Sequence, residues 1–181
     1  FFKEQSGDDI CKTCYEYVAS KQNFDGSWYY GIDLRNGSQK KQVDFHQGYI
    51  LDAIWDYLIL GNRDAELLKT YHKGLEFYFS KQFDSNGMCY YRYPRRYPID
   101  IHNQAQGIIT FSKAAIFDKH YLEIAKTIAR WTIQNMLSEP GYFYYQKSPW
   151  MTNKIPYMRW GQAWMFIALS QLLHYSRVVT N

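Results

Sequence analysis

Cysteine is scarce in this chain and poorly placed for its structural uses. Three occur among 181 residues, an odd number that gives no disulfide framework. Cys11 and Cys14 form a C-x-x-C on a stretch of helical periodicity, without the second pair that a zinc site needs. With Cys89 they read as small, partly buried residues, and the count does not choose between a cytoplasmic and a periplasmic location. No apolar run reaches the ~18–20 residues of a membrane-spanning helix, and none has the layout of a signal peptide. A strong excess of either charge is missing too. The net charge is +4, with no basic run or recognition motif, which argues against nucleic acid as a partner. Nothing in the sequence asks for a cofactor.

Aromatic side chains are plentiful. They make up 19% of the chain, with 18 Tyr and 6 Trp, more than an ordinary core absorbs. Tyr and Trp beyond the needs of the core suit a surface that stacks on sugar rings or other flat, semi-polar partners.

Residues 8–22 read as an amphipathic helix, with Asp8 and Asp9 at its positive dipole end. Asp25-Gly26 then turns into the aromatic run Ser27-Trp28-Tyr29-Tyr30, and residues 31–41 read as an exposed loop. Residues 46–60 form an apolar, buried helix that Gly61-Asn62 ends. The pattern returns. Residues 63–82 are amphipathic, Asp84 to Gly87 turn, Met88 to Tyr91 extend, an Arg- and Pro-rich loop follows, and 101–117 are apolar. A third copy has an amphipathic helix capped by Asp118, a Pro140-Gly141 turn, the extended Tyr142 to Tyr145, a loop, and an apolar helix over 159–177. Ser20-Lys21-Gln22 recurs as Ser80-Lys81-Gln82; His46 and His102 stand 56 apart, and His102 and Trp160 stand 58 apart. The repeat is the main result at this level. Its units cover about 8–61, 62–117 and 118–178.

Alternating amphipathic and apolar helices predict an all-α fold in two layers: three helical hairpins, an outer and an inner ring, and short aromatic β-like hooks in the loops. Parallel inner helices gather their N-termini at one end. Unpaired N–H groups and positive dipole ends there favour a polar or anionic ligand.

Three stretches carry a resemblance: Asp25-Gly26-Ser27-Trp28-Tyr29-Tyr30, Asp44-Phe45-His46-Gln47-Gly48-Tyr49, and Asp100-Ile101-His102 before an Ala-Gln-Gly helix. They resemble the six-hairpin (α/α) toroids of carbohydrate-active proteins, above all uncharacterised bacterial members linked with surface-polysaccharide or lipopolysaccharide biosynthesis. More distantly the chain is similar to unsaturated glucuronyl hydrolases and the helical domain of glucuronyl C5-epimerases. The resemblance implies part of such a toroid, since three hairpins stand where a closed ring has about six. With Phe1 in place of Met, the expectation is the C-terminal part of a longer chain, the alternative being two copies that complete one core.

Asp44 and Asp100 occupy equivalent positions before two inner helices. The resemblance implies paired carboxylates acting as acid and base about a glycosidic bond; helix capping is the alternative, and it does not exclude catalysis. His46 and His102, two residues further on, are candidates to hold a sugar hydroxyl or carboxylate or to move a proton; packing beneath the loop is the alternative. A metal is not expected, since no third ligand accompanies them. Trp28, Tyr30, Tyr91, Tyr145 and Trp160 are candidate sugar-binding residues, and core packing competes for the aromatic hooks. Arg96 and Arg159, with Arg92 and Arg95, offer guanidinium forks for a uronate or phosphate. The expected function is action on an acidic surface oligosaccharide or polysaccharide by glycoside hydrolysis, with uronate lyase or epimerase chemistry, or glycan binding without catalysis, as alternatives.

Overall fold

The computed structural model describes residues 4–60 and 64–180. Six helices alternate between two layers. The outer ones are α1 (Glu4–Ser20), α3 (Ala65–Gln82) and α5 (His120–Met136). The inner ones are α2 (His46–Ile59), α4 (Ile101–Ala114) and α6 (Trp164–Thr180), and a π-helical turn, Met158–Ala163, leads into α6. The all-α expectation of three hairpins forming part of an (α/α) toroid holds. α4 lies at the centre, packed against α2, α5 and α6. Every residue of α4 except Lys113 is buried.

The helix ends follow local chemistry. Asp64 caps α3, its carboxylate accepting the Glu66 and Leu67 N–H groups at 2.9 Å, and the Tyr15 hydroxyl donates to it at 2.7 Å, tying α1 to α3. Asp118 accepts the His120 N–H at 2.8 Å, one residue before the N-cap of α5. Helix α1 opens ahead of Asp8 and Asp9, which therefore lie within it. The stop expected at Gly61-Asn62 lies outside the described residues.

The hooks are tight turns rather than strands. Asn23 N–H bonds Ser27 C=O at 2.8 Å, Asp84 bonds Met88 at 2.9 Å, and Ser138 bonds Tyr142 at 2.9 Å. Each contains a glycine at φ near +90° (Gly26, Gly87, Gly141), where a side chain is strained. At Gly87 a Cβ would also stand 2.7 Å from the Thr127 carbonyl of α5. Strands occur in the long loops. β1 (Gly31–Ile32) pairs with β2 (Gln39–Lys40), and β3 (Ile99–Asp100), β4 (Gln146–Lys147) and β5 (Thr152–Asn153) form an antiparallel sheet in that order.

A glutamine in α2, one in α4 and one in the π-helical turn before α6 hold the three hooks in place. Gln47 accepts the Trp28 N–H at 2.9 Å and donates to the Trp28 C=O at 2.7 Å. Gln162 does the same at Phe143, at 2.9 and 2.8 Å. Gln104 accepts the Cys89 N–H at 2.5 Å and donates to Gly87 C=O at 3.1 Å and the Thr132 hydroxyl at 2.8 Å. Loops also reach back one unit: Tyr93 N–H bonds Val43 C=O at 2.8 Å, and β4 pairs with β3 just ahead of α4.

Replacing Gln104 with Leu strips two buried hook groups of their partner. Each orphaned group costs roughly 1–3 kcal/mol, so Gln104→Leu is expected to lower unfolding stability by ~2–6 kcal/mol in urea titrations. A loss below about 0.5 kcal/mol, within the range of ordinary surface changes, would show that the clamp is dispensable.

Candidate functional site

The two Asp-x-His doublets meet at the N-terminal ends of α2 and α4, and their immediate bonding differs. Both carboxylates are buried, Asp44 at 3% and Asp100 at 5% exposure. Each takes the backbone N–H of the histidine two residues on, at 3.2 Å for Asp44 and 2.9 Å for Asp100. Each also takes a glutamine side-chain amide: Gln42 on Asp44 at 2.5 Å, and Gln146 on Asp100 at 2.7 Å. Gln146 comes from β4 of the next unit, so the pairing of β4 with β3 positions it.

His46 turns its ring back onto its own aspartate, Nδ1 lying 2.5 Å from Asp44 Oδ1. The Arg92 guanidinium adds a longer ion pair to Asp44 at 3.9 Å. His46 Nε2 has no hydrogen-bond partner among the described residues, and His46 lines a cavity of about 360 Å³ together with Tyr30, Gln42 and Tyr49. His102 turns away from Asp100. Its Nδ1 lies 3.2 Å from the Trp160 carbonyl and its Nε2 meets the Tyr49 hydroxyl.

Aromatic rings connect the doublets. Phe45 stacks on His46 (centroids 4.2 Å apart) and sets its edge to His102 (4.6 Å). Trp160 stacks on His102 at 4.3 Å, and Trp164 meets the same ring edge-on at 4.9 Å. Trp160 remains 43% exposed. It borders two further cavities, one of about 510 Å³ with Arg159 and Trp164, the other of about 340 Å³ with Tyr145 and Tyr157.

The remaining candidates divide. Tyr30 is exposed, edge-on to His46 at 4.9 Å, with the Lys40 ammonium over its ring at 4.2 Å. Tyr91 lies under the Arg92 and Arg95 guanidinium groups. Arg96 is engaged elsewhere, bonded to Asp84 at 3.2 Å and the Tyr90 hydroxyl at 3.1 Å. Trp28 is a core residue at 3% exposure, its indole N–H donated to Val18 C=O at 2.8 Å, and it contributes to the wall of the His46 cavity with little open surface.

Sequence reading passed over Tyr49, Phe45, Gln42, Gln146 and Trp164 as site residues. Tyr49 stands one turn after His46, and Trp164 one turn after Trp160, spacings that put each pair on one helix face. Gln146 had no local signal, because it reaches Asp100 from another unit.

Below the mouth, Asp52 of α2 faces α4. Gln106 donates to it at 3.0 Å, and Lys113 lies 3.9 Å from it and 3.0 Å from Asp56. Burial pushes Asp52 up to about 6, against the pull of Lys113. Burial also raises Asp100, opposed by its bonds from Gln146 and the His102 N–H. His102 is pushed down to about 4, chiefly by burial, while its bond to the Trp160 carbonyl opposes the shift. Tyr49 is pushed up to about 12, first by burial and then by Asp52 and Asp44.

No family model matches the chain, and no curated protein matches it. Solved structures do. A possible member of the GH105 family from Salmonella enterica serovar Paratyphi A superposes at TM-score 0.73 with 14% identity, over 96% of this chain and 51% of that one. Cellobiose 2-epimerase from Spirochaeta thermophila gives 0.73 with 13% identity, over 94% and 46%. Unsaturated glucuronyl hydrolase from Bacillus sp. GL1 gives 0.68 with 17% identity, over 98% and 55%. The chain spans about half the length of these structures. The likeness establishes its fold as part of the (α/α) toroid that these proteins share.

Asp52 and His102 give stability opposite pH slopes. Asp52, raised when folded, contributes stability at low pH that is lost as pH rises from about 3.8 through about 6. His102, lowered when folded, contributes stability above about 6.5 that is lost as pH falls toward about 4. Asp52→Asn removes the first slope only. Its urea midpoint is expected to drop more steeply than the parent's between pH 6.5 and 4; parallel curves would contradict the assignment.

Proposed function

We propose that this chain is a carbohydrate-active enzyme carrying out proton transfer at a sugar ring, with His46 as the accessible proton carrier. One observation carries the reading: Asp44 holds His46 by Nδ1 at 2.5 Å, and His46 lines a cavity beside Tyr30. A buried carboxylate behind an imidazole fixes its orientation and tautomer and stabilises the imidazolium that forms. Asp44 is then a positioning residue, and the proton moves at His46 Nε2. The exposed Trp160 face and Tyr30 serve as stacking platforms. Arg92, Arg159 and Lys40 make the rim attractive to an acidic sugar such as a uronate.

Glycoside hydrolysis is the first reaction. In it the Asp44–His46 pair activates water, and Asp100, the carboxylate of the second doublet, is the candidate acid. Epimerisation is the second reading, favoured by the burial of both carboxylates, which leaves an imidazole as the open group. The unsaturated glucuronyl hydrolases and cellobiose 2-epimerases sharing the fold represent these two chemistries. The half-length ring also implies a cover for the apolar groove of about 500 Å³ between α1 and α2: three more hairpins of a longer chain, or a second copy. A role in lipopolysaccharide biosynthesis is part of the same proposal.

Incubation with an unsaturated glucuronyl disaccharide and with cellobiose in deuterated water separates the reactions. Hydrolysis releases two monosaccharides; epimerisation places deuterium on the sugar carbon without cleavage. His46→Gln is expected to lower whichever rate appears by about 10²-fold or more. Asp44→Asn is expected to lower it too, with sugar affinity retained. Binding of either sugar without turnover would convert the reading to a glycan-binding module. A rate unchanged in His46→Gln would remove His46 from the chemistry.

A further inference from the structure

Tyr49 belongs to the site, and its hydrogen bonding fixes how it can meet a ligand. A backbone carbonyl only accepts, so the 3.2 Å contact of His102 Nδ1 with the Trp160 C=O places the proton on Nδ1. A neutral imidazole with its proton on Nδ1 has a lone pair at Nε2. The Tyr49 hydroxyl meets that nitrogen and must therefore donate to it. With its one proton committed, the phenol oxygen keeps only acceptor capacity.

The surroundings hold this arrangement. Trp160 and Trp164 enclose the His102 ring on a face and an edge, and the Tyr49 ring is wedged against Phe45, His46 and Trp164 at 5.4, 5.5 and 5.8 Å. Tyr49 also lines the cavity that His46 borders.

We propose that Tyr49 is a specificity-determining residue whose oxygen, locked as an acceptor by His102 and the Trp160 carbonyl, receives a hydrogen bond from a sugar hydroxyl and disfavours a ligand with an acceptor at that position. The proposal rests on the sugar-site reading above and adds a direction to it: hydroxyl in, ether or carboxylate out. The acidic group of the ligand is then directed away from Tyr49, toward loop cations such as Arg92, 3.9 Å from Asp44, and Lys40, over the Tyr30 ring. The low proton affinity of His102 and the high one of Tyr49 both keep the pair neutral across the physiological range.

Two measurements on the whole chain test this. The first needs no ligand. Long-range proton–nitrogen correlation spectra of histidine-labelled protein at pH 7 are expected to show His102 neutral with its proton on Nδ1. A proton on Nε2, or on both nitrogens, would overturn the proposal. The second compares binding of cellobiose and an unsaturated glucuronyl disaccharide with their monodeoxy and mono-O-methyl derivatives. Loss of one particular hydroxyl is expected to weaken binding roughly 3- to 10-fold in the parent and to make no difference in Tyr49→Phe. If the sugars bind but every deoxy penalty survives in Tyr49→Phe, the acceptor role fails and the sugar site stands. If no sugar binds the parent, the sugar-site reading itself fails and the ligand role of Tyr49 falls with it, while the spectra still decide the direction of the Tyr49–His102 bond.

Discussion

A primary amide holding a strand of backbone at both its N–H and its C=O is the interaction on which this structure depends. Gln47 and Gln162 each bind one hook residue in this way, and Gln104 spans two. A glutamine side chain carries one acceptor and two donors on a rigid plane, so it can replace the missing neighbour of an isolated extended residue. That lets an otherwise helical chain bury a short non-helical turn without orphaned polar groups. The turns in turn fix where each long loop departs, and the loops carry Gln42, Arg92 and Gln146 to the aspartates.

The position of the site follows from that constraint. Gln47 and Gln104 lie in the first turns of α2 and α4 beside the doublets, and Gln162 lies in the π-helical turn that leads into α6. Gln47 follows His46, Gln104 follows His102 by two, and Gln162 follows Trp160 by two. Structural and candidate functional side chains thus alternate around the same helix ends, the former facing the hooks and the latter the mouth. The third unit substitutes Arg159-Trp160 for Asp-x-His, and its indole covers His102 where a third imidazole would otherwise stand.

Much of this was legible in the sequence. Periodicity and the 56- and 58-residue spacings located six helices, their two layers and the shared mouth, because burial of an apolar stripe and Gly-dependent turns leave strong local signals. The helix bounds of α2 and α4 were close for the same reason. What was not legible depended on contacts between units. Gln146 reaching Asp100, Tyr93 bonding Val43, and the π-helical entry to α6 have no local signature. Trp28 shows the opposite limit. Its composition and motif fit a sugar platform, but a glycine at position 74 leaves space on α3 that its ring fills, and no single-residue property announces that. The two aspartates looked equivalent because their motif is; their difference lies in which way the neighbouring imidazole turns, a matter settled by the Trp160 carbonyl 58 residues beyond His102.

The central claim is that the two doublets serve one ligand. The five histidines at 46, 72, 102, 120 and 174 are built-in reporters for it. Titrating histidine-labelled protein with an unsaturated glucuronyl disaccharide should shift the ring signals of His46 and His102 together, with one common half-saturation, and leave His72, His120 and His174 unmoved. Separate half-saturation points for His46 and His102, or shifts confined to the other three, would contradict the account.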